Sequence, residues 1–295
     1  MVKQATAVKK FKDEMFADFY YMVERCCASG DYDPFHPLLK EVEKDMDREE
    51  ALWFSCLFIA HYNPGSAWVA FHDSSVLQPK EWDLPIETAR RALFGGRLHR
   101  HLKDLCTKAK SAGGLYKFFT QGFGPSPKRN WSTLRANIGS VYGAGRWAEY
   151  TFAEVLQKVH NFRVTPTDMG NEGSSGPRNG LILLLGSATD GDSNYLYSNV
   201  TSRVGVSWLD YAVLESLCCD FNSLNKGKYY IGRDIDRQQY RIRKAEDRSG
   251  QLLGPLWEAR KRVFHHKYLG EVQGWEGIDK ERCKHYIETG EVIDR

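Results

Sequence analysis

Glycines near the middle of the chain have a spacing suited to binding a phosphate. Residues 142–146 read Tyr-Gly-Ala-Gly-Arg, and apolar residues at helical spacing follow over 147–159. Glycine accepts the positive φ of a tight turn, and the N–H groups of such a turn, together with the next helix N-terminus, can contact a phosphate. A glycine turn between two packed helices is the alternative. The candidate phosphate-backbone contacts are Gly143, Gly145 and Arg146.

Asp168 follows this predicted helix and precedes a second glycine-rich run, Gly-Ser-Ser-Gly-Pro-Arg-Asn-Gly, at 173–180. The aspartate is a candidate carboxylate of an active cleft, with a helix cap as the alternative. The run predicts a loop that presents successive N–H groups to an anion, and a plain loop before a helix is the alternative. Its candidate binding residues are Gly173, Ser174, Ser175, Gly176 and Arg178.

Glu215 lies within the apolar run at 211–217. Burial of an unpaired carboxylate there is costly, so Glu215 is either a structural ion-pair partner or a catalytic acid/base. Both interpretations stay open.

Positive charge is concentrated between Lys226 and Lys267, although the chain's net charge is only +3. This stretch has twelve Lys or Arg against five Asp or Glu, interleaved with aromatic residues. The pattern suits a nucleic-acid backbone, and a solvated helix face is the alternative. The candidates for binding an anionic substrate group or a DNA phosphate are Lys226, Lys228 and Arg233. Arg237, Arg241 and Arg243 are candidate DNA contacts.

The remaining pattern is dominated by helical periodicity. Amphipathic helices are predicted over 11–27 and, as one long helix that becomes apolar all round, over 37–62. A 295-residue chain with 42% hydrophobic residues can bury a substantial core. We therefore predict a mostly α fold, with one helical domain over 1–225 and a basic, less regular C-terminal extension over 226–295.

Cysteine and histidine spacing gives no sign of a metal or cofactor. The seven cysteines include two adjacent pairs and no Cys-x-x-Cys, which favours reduced thiols over a disulfide framework or a zinc ribbon. The His99/His101 and His265/His266 pairs lack convincing partners. No apolar run approaches membrane-spanning length, so a soluble protein with no membrane partner is expected.

Two resemblances follow from these motifs. A glycine hairpin with an aspartate about one helix beyond it resembles the helix-hairpin-helix DNA glycosylases. The Tyr-Gly-Ala-Gly-Arg-Trp-Ala turn, the Asp168 segment, the glycine-rich run and the Leu-Glu-Ser-Leu-Cys-Cys-Asp-Phe block at 214–221 more closely resemble the alpha-glutamyl/putrescinyl thymine pyrophosphorylases. This bacteriophage family, also called amino acid:DNA transferases, is related to those glycosylases.

The second resemblance implies a reaction and its partners. The substrate is double-stranded DNA carrying 5-hydroxymethyluracil that a DNA base kinase has converted to a pyrophosphate ester. An amine, commonly of an amino acid and here guessed to be glycine, displaces pyrophosphate in the cytoplasm of the infected bacterial host. The target nucleotide leaves the duplex stack. Asp168 would hold and deprotonate the ammonium, and N–H or cationic groups would hold the pyrophosphate.

Two other functions compete with this one. A monofunctional helix-hairpin-helix DNA glycosylase would share the fold and Asp168; lyase chemistry is disfavoured because Trp147 stands where bifunctional enzymes carry a lysine. In a non-catalytic DNA-binding module, Asp168 and Glu215 would be structural.

Overall fold

The computed structural model describes residues 2–87, 96–170, 174–205, 209–265 and 269, with 281, 284, 285, 288 and 289. Within these ranges the chain forms α-helices and, apart from an isolated bridge between Ser75 and Gln78, no β-structure. The predicted mostly α class is confirmed. The helices are α1 (Val2–Ser29), α2 (Phe35–Glu43), α3 (Arg48–His61), α4 (Pro64–His72), α5 (Gly96–Ala112), α6 (Leu115–Thr120), α7 (Pro127–Gly139), α8 (Arg146–Lys158), α9 (Ser175–Leu185), α10 (Asp190–Val204), α11 (Tyr211–Leu224), α12 (Arg233–Ser249) and α13 (Gly254–Val263).

The chain divides into two compact units. The first contains Met1–Asp33, Pro166–Ile235 and Val272–Arg295, and the second contains Pro34–Thr165 and Asp236–Glu271. A domain boundary at residue 225 stays a prediction. No helix of the described residues combines the length and the apolar character needed to cross a bilayer.

The single helix predicted over 37–62 is wrong, because α2 and α3 are separate helices. Asp47 is the N-cap of α3, and its carboxylate accepts hydrogen bonds from the N–H groups of Glu49 and Glu50 at 2.8 and 2.9 Å. The Asp47 N–H donates to the Glu50 carboxylate at 3.1 Å, which completes a capping box. The Asp-x-x-Glu pattern is the sequence signal that marks this helix start.

Helix α3 forms the centre of the second unit. Every residue from Ala51 to His61 is buried, as predicted for a helix that is apolar all round. It contacts α4, α6 and α8, while α7 pairs with α8 and α5 with α6. These contacts fix the elements on both sides of the glycine turn at 142–146.

The predicted irregularity of the C-terminal extension is wrong for its first part, which forms α12 and α13. Helix α12 approaches α4 closely: a Cβ on Gly65 would lie 2.6 Å from the Ala245 Cβ and 3.1 Å from the Ile242 Cα. Ile242 and Ala245 share a buried cluster with Leu253 and Leu256. The extension therefore supplies part of the second unit's core.

Helices α9 and α11 form the closest pair of the first unit. A Cβ on Gly180 would lie 2.0 Å from the carbonyl oxygen of Cys218, a distance that no side chain tolerates. A Cβ on Gly176 would lie 2.6 Å from the Cys219 sulfur. Helix α1 also contacts both α9 and α11, with the Phe19 ring edge-on to Phe221 at 5.2 Å.

A polar network is buried in the second unit. The Ser55 hydroxyl donates to the Glu43 carboxyl at 2.7 Å and lies 2.9 Å from Nε2 of His160. Burial raises the pKa of Glu43 to about 8 and lowers the pKa of His160 to about 4. Although the His160 Nε2 lies 3.5 Å from the Glu43 Oε2, these opposite shifts favour two neutral, hydrogen-bonded groups over an ion pair at neutral pH.

This network predicts a pH dependence of stability. Because the folded-state pKa of Glu43 is raised from its ordinary value of 4.5 to about 8, its contribution is complete below pH 4.5 and is lost as pH rises through 8. The His160 contribution has the opposite sign: it is complete above pH 6.5 and lost as pH falls through 4. Only Glu43 of the two therefore titrates above pH 6.5.

Glu43→Gln isolates this contribution. Glutamine keeps an oxygen acceptor for Ser55 but cannot ionise, so the urea midpoint of the variant should fall less between pH 6.5 and 9 than that of the wild type. Denaturation curves at a series of pH values measure the difference. Parallel pH profiles for the two proteins would show that Glu43 is already ionised in the folded state.

Candidate functional site

The glycine turn between α7 and α8 has the predicted conformation. Gly143 adopts φ +75°, and the N–H of Ala144 donates to the Val141 carbonyl at 3.0 Å. Gly145 is the N-cap of α8, with an extended backbone and open space where a Cβ would lie. Both glycines are exposed, so the turn and the first N–H groups of α8 are accessible to an anion.

Helix α5 holds the first residue of this turn. The Nδ1 of His101 lies 2.6 Å from the Tyr142 carbonyl oxygen, which assigns the proton to Nδ1. The Tyr142 N–H donates to the Asp104 carboxylate at 2.7 Å, and the Arg100 guanidinium lies 4.0 Å from the centre of the Tyr142 ring. Three side chains of α5 therefore fix the position of the turn.

Aromatic contacts surround the start of α8. The half-buried Arg146 lies 5.0 Å from the ring centre of Tyr150, on the same helix. Trp147 packs edge-on against Tyr62 at 4.9 Å. Trp147, which stands where bifunctional glycosylases carry a lysine, thus contributes to the packing of the second unit.

Asp168 lies in the first unit, in the segment between α8 and α9. Its two carboxylate oxygens accept hydrogen bonds from the Thr167 hydroxyl at 2.9 Å and from the Gly170 N–H at 2.8 Å. No described helix begins at this position, since the next is α9 at Ser175. The carboxylate is half-buried and held in a defined orientation, as a group that binds an ammonium ion requires.

The anion-binding loop predicted over 173–180 is wrong from Ser175 onward, because these residues form the first turns of α9. Helix α11 approaches so closely that it leaves too little space for a side chain at Gly176 or Gly180. This close approach, and not the geometry of a turn, accounts for glycine at both positions. Gly173 lies outside the described residues. Ser174 is the N-cap but makes no side-chain capping bond, and Arg178 is exposed. The helix start therefore presents N–H groups and a cation in place of a loop.

Helix α11 carries Glu215, which is half-buried. The neighbouring Ser216 hydroxyl donates to the Asp33 carboxylate at 3.0 Å. Burial, with a further contribution from the negative charge of Glu215, raises the pKa of Cys218 far above its ordinary value. Burial and the raised pKa are typical of a core thiol and argue against a nucleophilic role for Cys218.

The cations that follow α11 differ in exposure. Lys226 and Lys228 are exposed. The Arg233 side chain is only 12% exposed, and its Nη1 lies 3.8 Å from the Asp234 carboxylate. The two lysines are thus accessible to an anionic ligand, whereas Arg233 is held against its neighbour.

The three arginines of α12 also differ. Arg241 is 2% exposed; its Nε lies 3.8 Å from the Glu87 carboxylate, and its guanidinium lies 4.5 Å from the Tyr62 ring centre. A contact between Arg241 and a DNA phosphate stays a prediction. The burial of this side chain argues against it. Arg237 is half-buried and Arg243 is exposed.

Sequence patterns gave no indication of a buried carboxyl at Asp31. It accepts hydrogen bonds from the Tyr229 hydroxyl at 2.5 Å and from the N–H groups of Gly232 and Ile235 at 2.9 and 3.0 Å. Burial, and secondarily the charge of Asp234, raises its pKa well above the ordinary value. Asp31 therefore anchors the segment that carries Lys228 and Arg233 to the end of α1.

Comparison with known proteins identifies the family. The family model described as amino acid:DNA transferase matches residues 27–230, which is more than half of the chain. This range contains the glycine turn, Asp168, α9 and α11. No curated protein matches the chain significantly. From the extent of the family match, the chain belongs to the amino acid:DNA transferase family, whose members are transferases acting on DNA and an amino acid.

Proposed function

We propose that this protein joins an amino acid or another amine to the 5-methylene of pyrophosphorylated 5-hydroxymethyluracil in double-stranded DNA. The amine nitrogen attacks the methylene carbon, the bond from that carbon to the ester oxygen breaks, and pyrophosphate leaves with the bonding pair. The observation that carries this proposal is the family match over 27–230, which contains both the glycine turn and Asp168.

Asp168 is proposed to receive the proton of the incoming ammonium. A free amine is the nucleophile, so the ammonium must be held and deprotonated before it attacks. The hydrogen bonds from Thr167 and Gly170 orient the carboxylate, which is only partly buried. Glu215 is a second candidate acid/base, and its role as a structural ion-pair partner is the alternative.

The N-terminus of α9 is proposed to hold the leaving pyrophosphate. The N–H groups of its first turn have no carbonyl partner within the helix, and the helix dipole favours an anion there. Ser174, Ser175 and Gly176 lie at this end, and the exposed Arg178 would add charge. Gly173, which is outside the described residues, stays a candidate from the sequence alone. Lys226 and Lys228, with Arg233, are the further candidates for pyrophosphate or DNA phosphate.

The glycine turn is proposed to contact the DNA backbone while the modified nucleotide is rotated out of the stack. Gly143, Gly145 and Arg146 supply accessible N–H groups and a cation at the start of α8. Arg237 and Arg243 of α12 are the additional candidate contacts.

A DNA base kinase would be the functional partner, because the hydroxyl of 5-hydroxymethyluracil is a poor leaving group until it is converted to a pyrophosphate ester. The reaction would take place in the cytoplasm of a bacterium infected by a phage. We propose glycine as the amine.

Nucleoside mass spectrometry tests the reaction. Duplex DNA containing 5-hydroxymethyluracil is treated with its kinase and ATP, then with this protein and a mixture of amino acids, and is digested to nucleosides. A thymidine derivative bearing an amine is expected, and its mass identifies the donor. Abasic sites would support a glycosylase instead, and unchanged nucleosides would support a non-catalytic DNA-binding module.

Two glycine substitutions separate the shape of the turn from its contact with DNA. Gly145→Ala fits the extended backbone and meets open space, so it should lower stability only by the weaker N-cap preference of alanine, about 0.5 kcal/mol, while its methyl group weakens duplex binding. Gly143→Ala must adopt φ +75° and should destabilise the turn by about 1 kcal/mol. Duplex affinity equal to wild type in Gly145→Ala would place the DNA backbone elsewhere.

A further inference from the structure

Helix α5 carries an exposed row of cations beside the glycine turn. It contains five Lys or Arg and a single acidic residue, Asp104. Arg97, Arg100 and Lys103 are spaced three residues apart, and all three are exposed. Side chains at this spacing lie along one side of a helix, about 9 Å from first to last along the axis. We call these three residues the α5 stripe.

The stripe cations are not neutralised by the described part of the chain. No carboxylate among the described residues lies within ion-pair distance of them. Asp104, the acidic residue of the same helix, instead binds Lys108 and the Tyr142 N–H. Within the part of the chain that the structure describes, the positive charge of the stripe is therefore not compensated by an ion pair.

Arg100 connects the stripe to the turn. Its guanidinium stacks 4.0 Å from the Tyr142 ring centre, one residue before Gly143. Stacking on an aromatic face orients the guanidinium plane but leaves the N–H groups at its edge available to an anion. His101 and Asp104 hold the Tyr142 backbone, so the distance from the stripe to the turn amides is fixed.

We propose that the α5 stripe is a second DNA-backbone contact, which binds phosphates next to the one held by the turn. This inference rests on the proposed function in two respects, namely that duplex DNA is the ligand and that the glycine turn holds one of its phosphates. A row of exposed cations beside the glycine turn matches the regularly spaced charges of a duplex strand.

The test is the salt dependence of duplex binding by the full chain. The triple variant Arg97→Gln, Arg100→Gln, Lys103→Gln should bind about tenfold or more weakly at 0.1 M salt. The log–log slope of its binding constant against salt should also fall in magnitude by about two to three, because each phosphate that is no longer neutralised lowers it by about 0.9. An unchanged slope in this variant would overturn the inference.

A matched control removes the same charge elsewhere in the second unit. Lys110→Gln, Lys117→Gln, Lys128→Gln replaces three exposed cations outside the stripe, and its slope should fall by less than about one. An equal fall in slope for both variants would mean that net charge, rather than the stripe, determines binding. Equal urea midpoints for all three proteins confirm that the substitutions leave the fold intact.

Single-turnover amine transfer at saturating DNA separates this inference from the proposed function. The stripe variant should transfer at the wild-type rate once bound. A wild type that binds duplex through the stripe but transfers no amine would contradict the proposed reaction alone. A wild type that transfers amine while the stripe variant keeps its full slope would contradict the stripe alone.

Discussion

Replacing Asp168 by asparagine should lower the rate of amine transfer by about 100-fold or more, with duplex affinity unchanged. Asparagine keeps an oxygen that accepts the Gly170 N–H, so the turn is retained. It cannot take a proton from the ammonium or balance its charge. Single-turnover rates on pyrophosphorylated DNA at saturating amine measure the effect directly.

Asp210→Asn is a control in the same unit. Asp210 is the N-cap of α11 and accepts from the N–H groups of Ala212 and Val213, at 3.0 and 3.1 Å. Because asparagine is also a good N-cap, this variant should transfer at the wild-type rate. Activity of Asp168→Asn within a few-fold of wild type would remove Asp168 from the mechanism.

Gly180→Ala should destabilise the first unit by at least about 3 kcal/mol. The new methyl group would lie 2.0 Å from the backbone carbonyl oxygen of Cys218, and backbone cannot rotate away as a side chain can. Helices α9 and α11 would have to separate, which removes the packing that holds the start of α9 in place. Urea denaturation monitored by circular dichroism gives the free energy of unfolding.

Two other glycines calibrate this result. Gly191→Ala places a methyl group near the start of α10 with only an ordinary contact to Thr189 at 3.5 Å, so it should be neutral or stabilise by up to about 1 kcal/mol. Gly176→Ala faces the Cys219 side chain, which can move, and its cost should be intermediate. A stable Gly180→Ala protein would contradict the close approach of α9 and α11.

Local sequence patterns predicted the features that depend on neighbouring residues. The apolar helix later found as α3, the turn at 142–146 and the helix after it follow from periodicity and glycine chemistry. The capping box at Asp47 also has a sequence signal, Asp-x-x-Glu. Helical periodicity continues on both sides of it, so the periodicity alone predicts one helix instead of two. Glycine spacing alone does not distinguish a loop from a helix that packs closely, which is why it predicts a loop where α9 begins.

Features that depend on distant partners were not predictable in this way. Asp31 is buried against residues about two hundred positions later, and the Glu43 network requires His160 from another helix end. The sequence does not distinguish Arg241 from Arg237 and Arg243, yet only Arg241 of the three is buried, against Glu87 and Tyr62. Charge counts along a chain do not reveal which cations the fold neutralises.

In the proposed reaction, a new bond from carbon to nitrogen forms as pyrophosphate leaves the base. The most direct test counts both products in one single-turnover reaction, with an isotopically labelled amino acid and kinase-treated DNA. One pyrophosphate should appear for each labelled nucleoside, and neither should form without the amine. Pyrophosphate released without label in the DNA, or label-free abasic sites, would contradict the account.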